Sequence, residues 1–269
     1  KGIAITYNNL ANILCAQGDY GGAASLFRKS LDIMKEIGYR EGIAGTCNNL
    51  GTIYQDQGRY REGLDLQKTA LALREEIGDR PGVAMSHGNI GFLHLDLGEY
   101  GASKNELSTS VSMQEALGMK TLLSATTSWL ALATARGGEV DAGLDIARKA
   151  LSMAADLGQT WFEGIANRSV GVIQGMKWSE HPGGTQPETE YDEALRYLIR
   201  SLALFSDGKF EHEAARTSME IGRLMEAAGH TREGGEYLRR AIDVFQKLGA
   251  MGDLDRALQI SSPHQTEER

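Results

Sequence analysis

Two stretches of the chain, "TYNNLANILCAQGDY" from Thr6 to Tyr20 and "TCNNLGTIYQDQGRY" from Thr46 to Tyr60, repeat one another at an interval of 40 residues. The interval runs well beyond them. Gly18, Gly58, Gly98 and Gly138 keep it, as do Gly38, Gly78, Gly118 and Gly158. So do Leu10, Leu50, Ile90 and Leu130, then Tyr20, Tyr60, Tyr100 and Val140, then Leu31, Leu71, Val111 and Leu151. A fixed period of this length means that each unit is one supersecondary block, which buries its apolar side only by stacking on its neighbours.

Within a unit the apolar residues step by three or four, as in Ile3, Tyr7, Leu10 and Leu14 and again from Leu26 to Ile37, which predicts two amphipathic helices per unit. A glycine stands between them in "QGDY", "QGRY", "LGEY" and "GGEV", and another closes the second helix in "EIGYR", "EIGDR", "ALGMK" and "DLGQT". Both places suit a residue that turns to positive φ at a helix end. Four helix–turn–helix units cover 1–40, 41–80, 81–120 and 121–160. A fifth, 161–210, is lengthened by "SEHPGGTQPETE" from Ser179 to Glu190, whose Pro and Gly content predicts a loop between its two helices. A sixth spans 211–250. Residues 251–262 form an expected capping helix, with Leu254, Ala257 and Leu258 inward and Asp253, Asp255 and Arg256 outward, and 263–269 a flexible tail.

These offsets resemble the tetratricopeptide repeat (TPR). That family sets a bulky residue, then Leu-Gly three positions on, then an aromatic three further on its first helix, and small residues on its second where the helices cross. Tyr7, Leu10, Ala11 and Leu14, with Cys47, Leu50, Gly51 and Tyr54, fill the first set; Ala23, Phe27 and Ser30, with Gly63, Gln67 and Ala70, fill the second. The period resembles the 40-residue variant of Pins-type polarity adaptors, kinesin light chain relatives and bacterial signalling ATPases, cyclases and regulators. The resemblance covers roughly 1–250 and implies an all-α, right-handed solenoid of six hairpins plus a C-terminal capping helix, with the first helices lining a concave groove.

Composition narrows the function. The 269 residues carry 28 Lys and Arg against 36 Asp and Glu, a formal net charge of −8 with no basic run, which excludes the usual electrostatic footprint of nucleic-acid binding. No stretch approaches the roughly 18 to 20 apolar residues of a membrane span. Cys15 and Cys47 have no second Cys or His at metal-ligand spacing, and reduced cytoplasm is the simplest setting. No phosphate-binding loop, dinucleotide fingerprint, Gly-x-Ser-x-Gly elbow or His-Glu-x-x-His is present, so the expectation is a binding protein without catalytic residues, metal or cofactor. His87 and His94 share one helical face but occupy the columns of Tyr7 and Leu14, and are expected to pack between helices.

The groove positions implied by the resemblance give the candidate ligand contacts: Asn8, Asn12, Asn48, Thr52, Asp56, Met85, Phe92, Leu95, Asp96, Leu132, Arg136 and Arg168. They run from polar and amide-rich in the first two units to apolar in the middle ones. This gradient suits a peptide whose backbone is held by asparagine amides and whose apolar anchors enter further along. Phe92 and Leu132 equally fit packing on one another. The recurring Asn9, Asn49 and Asn89 are expected to bond the adjacent hairpin, while the varying column Asn8, Asn48, Gly88, Ser128 and Arg168 reads as a surface open to specialisation.

Two classes of function follow: a scaffold that captures a protein or peptide in its groove, or a sensory arm controlling an attached enzyme or transcription-factor domain. Because Ile3, Ile5 and Tyr7 open the first helix without a polar cap, either more repeats stand before them or this edge self-associates.

Overall fold

The computed structural model of the protein describes residues 1–180 and 188–261. These residues form thirteen α-helices and no strand. The first three hairpins pair α1 (Gly2–Ala16) with α2 (Tyr20–Glu36), α3 (Arg40–Asp56) with α4 (Tyr60–Ile77), and α5 (Arg80–Asp96) with α6 (Tyr100–Ala116). The next three pair α7 (Lys120–Arg136) with α8 (Val140–Leu157), α9 (Thr160–Ser179) with α10 (Glu188–Asp207), and α11 (Glu211–Ala227) with α12 (Thr231–Leu248), and α13 (Met251–Ser261) follows. All eight glycines that keep the 40-residue interval take positive φ, from 61° to 99°, as do Gly229 and Gly249. The period is therefore a period of helix ends, each closed where a side chain would strain the backbone.

The chain divides into two compact units: Lys1–Gly118 with Gln246–Gly252, and Met119–Phe245 with the segment that starts at Asp253. In the first unit each helix packs on the next, and α3 also touches α5. Ala23, Phe27 and Ala70 are fully buried with Cys47 and Leu50 in one cluster, which fits the expectation of small residues at crossings and makes Cys47 a core residue. A Cβ added to Gly63 would lie 2.9 Å from the Gly51 carbonyl oxygen, so α3 and α4 approach backbone to backbone there. Leu248 and Gly252 also belong to this unit, meeting the turns at Gly18 and Gly58.

In the second unit α7 touches α9 and α9 touches α11, while α8 and α10 pack against their neighbours. The lengthened hairpin differs from expectation at both ends. Ser179 closes α9, and Glu188–Glu190 already belong to α10, so only 180–187 remain between them, of which 181–187 lie outside the described residues. The extra turn of α9 is held by Trp178, which is buried and packs against Tyr191 with ring centroids 5.4 Å apart and planes tilted by 54°. The capping helix also departs from expectation. Leu254 and Ala257 face inward, but Leu258 is exposed and Asp253 is buried. Asp253 turns in because α11 presents His212 and Arg216 to it.

Candidate functional site

Asn8, Asn48 and Arg168 of the varying column each join their own helix to the following first helix. Asn8 donates from Nδ2 to Thr46 Oγ1 at 2.9 Å, linking α1 to α3. Asn48 accepts from Asn89 Nδ2 at 2.9 Å, linking α3 to α5, and donates to Asn49. Its Oδ1 also takes Arg74 Nη1 at 3.4 Å, and its carbonyl takes Gln67 Nε2 at 2.9 Å. Arg74 is buried and further bonded to the Gly82 carbonyl and Ser86. The asparagines expected to stand open therefore make inter-hairpin bonds. Asn89 does so as expected of its column, whereas Asn9 is exposed. Gln55 Nε2 adds a bond to Asp96 Oδ2 at 2.6 Å.

The other candidates of the first unit lie at different depths. Asn12 and Thr52 are exposed, Asp56, Met85 and Phe92 half-buried, and Leu95 buried. Thr52 Oγ1 bonds back to the Asn48 carbonyl at 3.2 Å. His87 and His94 are half-buried, with Nδ1 2.6 Å from Glu106 and from Glu99 respectively. Burial, with Asp56 second, pushes the Cys15 thiol up to about 11, and burial also raises Cys47. Neither is a thiolate at neutral pH. Among the described residues no group of three or more His, Cys, Asp or Glu is placed to hold a metal, and no helix is long and apolar enough to cross a membrane.

In the second unit the linking column changes chemistry. Arg168 on α9 donates to Glu213 Oε2 on α11 at 2.5 Å and to the Glu213 carbonyl at 3.1 Å. Arg136 on α7 lies 3.7 Å from Glu220, and Arg223 lies 3.6 Å from the same carboxylate. Arg216 bridges Glu213 and Asp253, and Asp253 also accepts from His212 at 2.7 Å and from Arg256 at 2.7 Å. Burial alone would raise the Glu213 carboxyl, but Arg168, then Arg216 and His212, outweigh it and hold it at about 2. Burial is likewise outweighed at Glu220 by Arg223, Arg136 and Arg168, and at Asp253 by Arg216, His212 and Arg256, so both stay ionised.

Beside this network lies a cavity of about 310 Å³. Val172, Met176, Leu198 and Leu224 give it apolar walls, and Gly171 and Gly175 leave room for them. Arg136, Glu220 and Arg223 complete the lining with charge. Leu132 packs nearby, partly buried against the cluster of Val170 and Ile173, and Trp129 packs against that of Ala125 and Ile165.

Stacked hairpins with this register match known proteins. A family model described as tetratricopeptide repeat matches residues 42–116, and a second of the same description matches 3–37. The chain carries tetratricopeptide repeats. No curated protein sequence matches it. Among solved structures the array is similar to the apo form of RapI, with a TM-score of 0.75 at 16% identity over 92% of this chain and 84% of that one. It is similar to NprR in complex with its cognate peptide NprX, at 0.74 and 15% over 99% and 74%. It also resembles a Rap protein complexed with competence and sporulation factor, at 0.64 and 14% over 95% and 79%. At such identities the likeness is one of fold.

The acids of this tetratricopeptide array were not among the candidates read from the sequence. Glu213, Arg216, Glu220 and Arg223 nevertheless follow one another on α11 at steps of three and four, a pattern that puts two Glu–Arg pairs on one face. That spacing was the available signal.

Proposed function

We propose that the chain is a peptide-binding repeat module, in which the cavity between α9, α10 and α11 receives an apolar side chain of the ligand. The observation that carries this reading is the pairing of that cavity's apolar walls with Arg136 and Arg223, which flank Glu220 at distances too long for tight hydrogen bonds. Both guanidiniums keep donors for an incoming carbonyl or carboxylate. Within the first unit, exposed Asn12 and Thr52 supply polar contacts on the same type of helix. Two proteins of similar fold are solved with a peptide or with competence and sporulation factor, which supports the reading without naming the ligand.

Display selection of random peptides on the whole chain tests the reading. The expected consensus places one large apolar residue at a fixed position, and affinity for the selected peptides falls at least tenfold in Met176→Trp, which fills the cavity, and in Arg136→Ala. No enriched consensus, or affinities unchanged in both folded variants, would sink it.

A further inference from the structure

A second cavity, of about 320 Å³, lies between α10, α11 and α12 and shares no lining residue with the one beside Glu220. The register of the helix crossings explains its origin. On α11, Ala214 and Ser218 stand eight and four residues before Gly222, as Ile43 and Cys47 stand before Gly51 on α3. A Cβ added to Gly222 would meet the Gly234 carbonyl, and one added to Gly51 the Gly63 carbonyl, each twelve residues on, so the two hairpins cross alike. At the earlier crossing Ile43 and Cys47 pack in one cluster with Leu31. At the later one Ala214 is three carbons shorter than isoleucine, and space opens beside it.

The cavity is graded in depth and chemistry. Phe205, Ala215 and Ser218 make its floor, 0%, 3% and 7% exposed, while Lys209, Phe210 and Arg240 are exposed at its rim. Phe205 and Phe210 meet edge to face, with planes at 89°, and give it an aromatic wall. The Ser218 hydroxyl makes no hydrogen bond to any described residue, although a group so deeply buried normally has a partner. Lys209 and Arg240 stand against one acid, Glu211, so the lining is net positive. Lys209 also holds φ of 58°, where every other described residue with positive φ is a glycine. Backbone strain kept by a residue that lines a cavity is typical of ligand clamps.

We propose that this cavity is a separate binding site for a small aromatic carboxylic acid. Lys209 and Arg240 hold the carboxylate at the rim, the ring lies against Phe205 and Phe210, and a hydroxyl on the far side of the ring bonds to Ser218. Two cations offset by Glu211 suit a monoanion better than a phosphate. The volume stands near the low end of the roughly 300–1,000 Å³ of ligand pockets, which limits the occupant to a single ring and its acid arm.

The test titrates para-hydroxyphenylpropanoate, phenylpropanoate and para-hydroxyphenylpropanamide into the whole chain by calorimetry. The hydroxy acid is expected to bind at least tenfold more tightly than its neutral amide and more tightly than the acid without the hydroxyl. Ser218→Ala should erase the second preference and keep the first. Ala214→Ile, which restores the residue of the second hairpin, should abolish binding in a chain whose tryptophan fluorescence is that of the folded parent. Lys209→Gly should lower affinity for the acid at least tenfold although it relieves the turn, and should leave peptide affinity at the other cavity unchanged. Three results would overturn the proposal: no binding of any of the three compounds at millimolar concentration, equal affinity for the acid and its amide, or undiminished binding in both folded Ala214→Ile and Lys209→Gly variants.

Discussion

In the first unit Asn8 reaches Thr46 and Asn48 reaches Asn89; in the second, Arg168 reaches Glu213 and Arg136 pairs with Glu220. Corresponding helices are thus joined by neutral amides in one unit and by ion pairs in the other. A neutral amide bond contributes about 0.5–1.5 kcal/mol and is indifferent to pH. A half-buried Glu–Arg link is stronger, but only while the carboxylate is charged, and it leaves a costly unpaired partner when broken. One fold register therefore carries two different sensitivities. The tryptophans separate them in practice, because Trp129, Trp161 and Trp178 all lie in the second unit. Their fluorescence reports that unit alone, while circular dichroism reports both.

The largest expected effect comes from Asp253→Ala. It strips one buried acceptor from His212, Arg216 and Arg256, and should cost about 3 kcal/mol. The loss should appear in a denaturant titration followed by tryptophan fluorescence, and a midpoint unchanged from the parent would remove the network from any stabilising role.

The pH dependence is next in size. The Glu213 pKa falls from 4.5 to about 2 on folding, so its contribution is fully present above pH 4.5 and lost as pH drops toward 2. That shift corresponds to about 3 kcal/mol. Glu213→Gln should flatten the acid limb of the fluorescence-monitored stability curve between those values. An acid limb of unchanged steepness in the variant would contradict the assignment.

Asn48→Ala tests the neutral side. It removes the acceptor of Asn89 and Arg74 and the donor to Asn49, for an expected loss of about 1–2 kcal/mol with no dependence on pH. Measured by circular dichroism at pH 7 and pH 4, its destabilisation should be the same at both; a marked difference would mean that Arg74 and its neighbours couple the amides to ionisation.

The smallest effect is a gain. Lys209 has φ of 58° at a helix end where the other turns carry glycine, and it is the one non-glycine among the described residues with positive φ. Lys209→Gly should stabilise the second unit by about 1 kcal/mol. A destabilised variant would show that the lysine side chain makes a contact worth more than the strain.

Hairpins, turns and crossings could be read directly from the sequence because a period of 40 residues is a local quantity, visible from Gly18 to Gly158 without any knowledge of contacts. The linking column was legible as a column but not as a link. Asn8 finds its partner 38 residues on, Asn48 41 and Arg168 45, so no fixed offset predicts which side chain faces it. Asp253 was misplaced for a related reason. Outward is the default for an aspartate on a short helix, and only the cations of α11, some 40 residues earlier, reverse it. Of the charged side chains that line the cavity, Arg136 on α7 stood among the columns considered, whereas Glu220 and Arg223 came from α11, beyond the last of them.

Leu248 and Gly252 complete the first compact unit by meeting the turns at Gly18 and Gly58. Most contacts of a repeat array join neighbours, but these close loops of about 200 residues, the kind of long-range pairing that slows folding. On the ribosome the early hairpins are therefore made long before their last packing partners. The turns at Gly18 and Gly58 remain uncovered until Leu248 and Gly252 have been added, about 200 residues later.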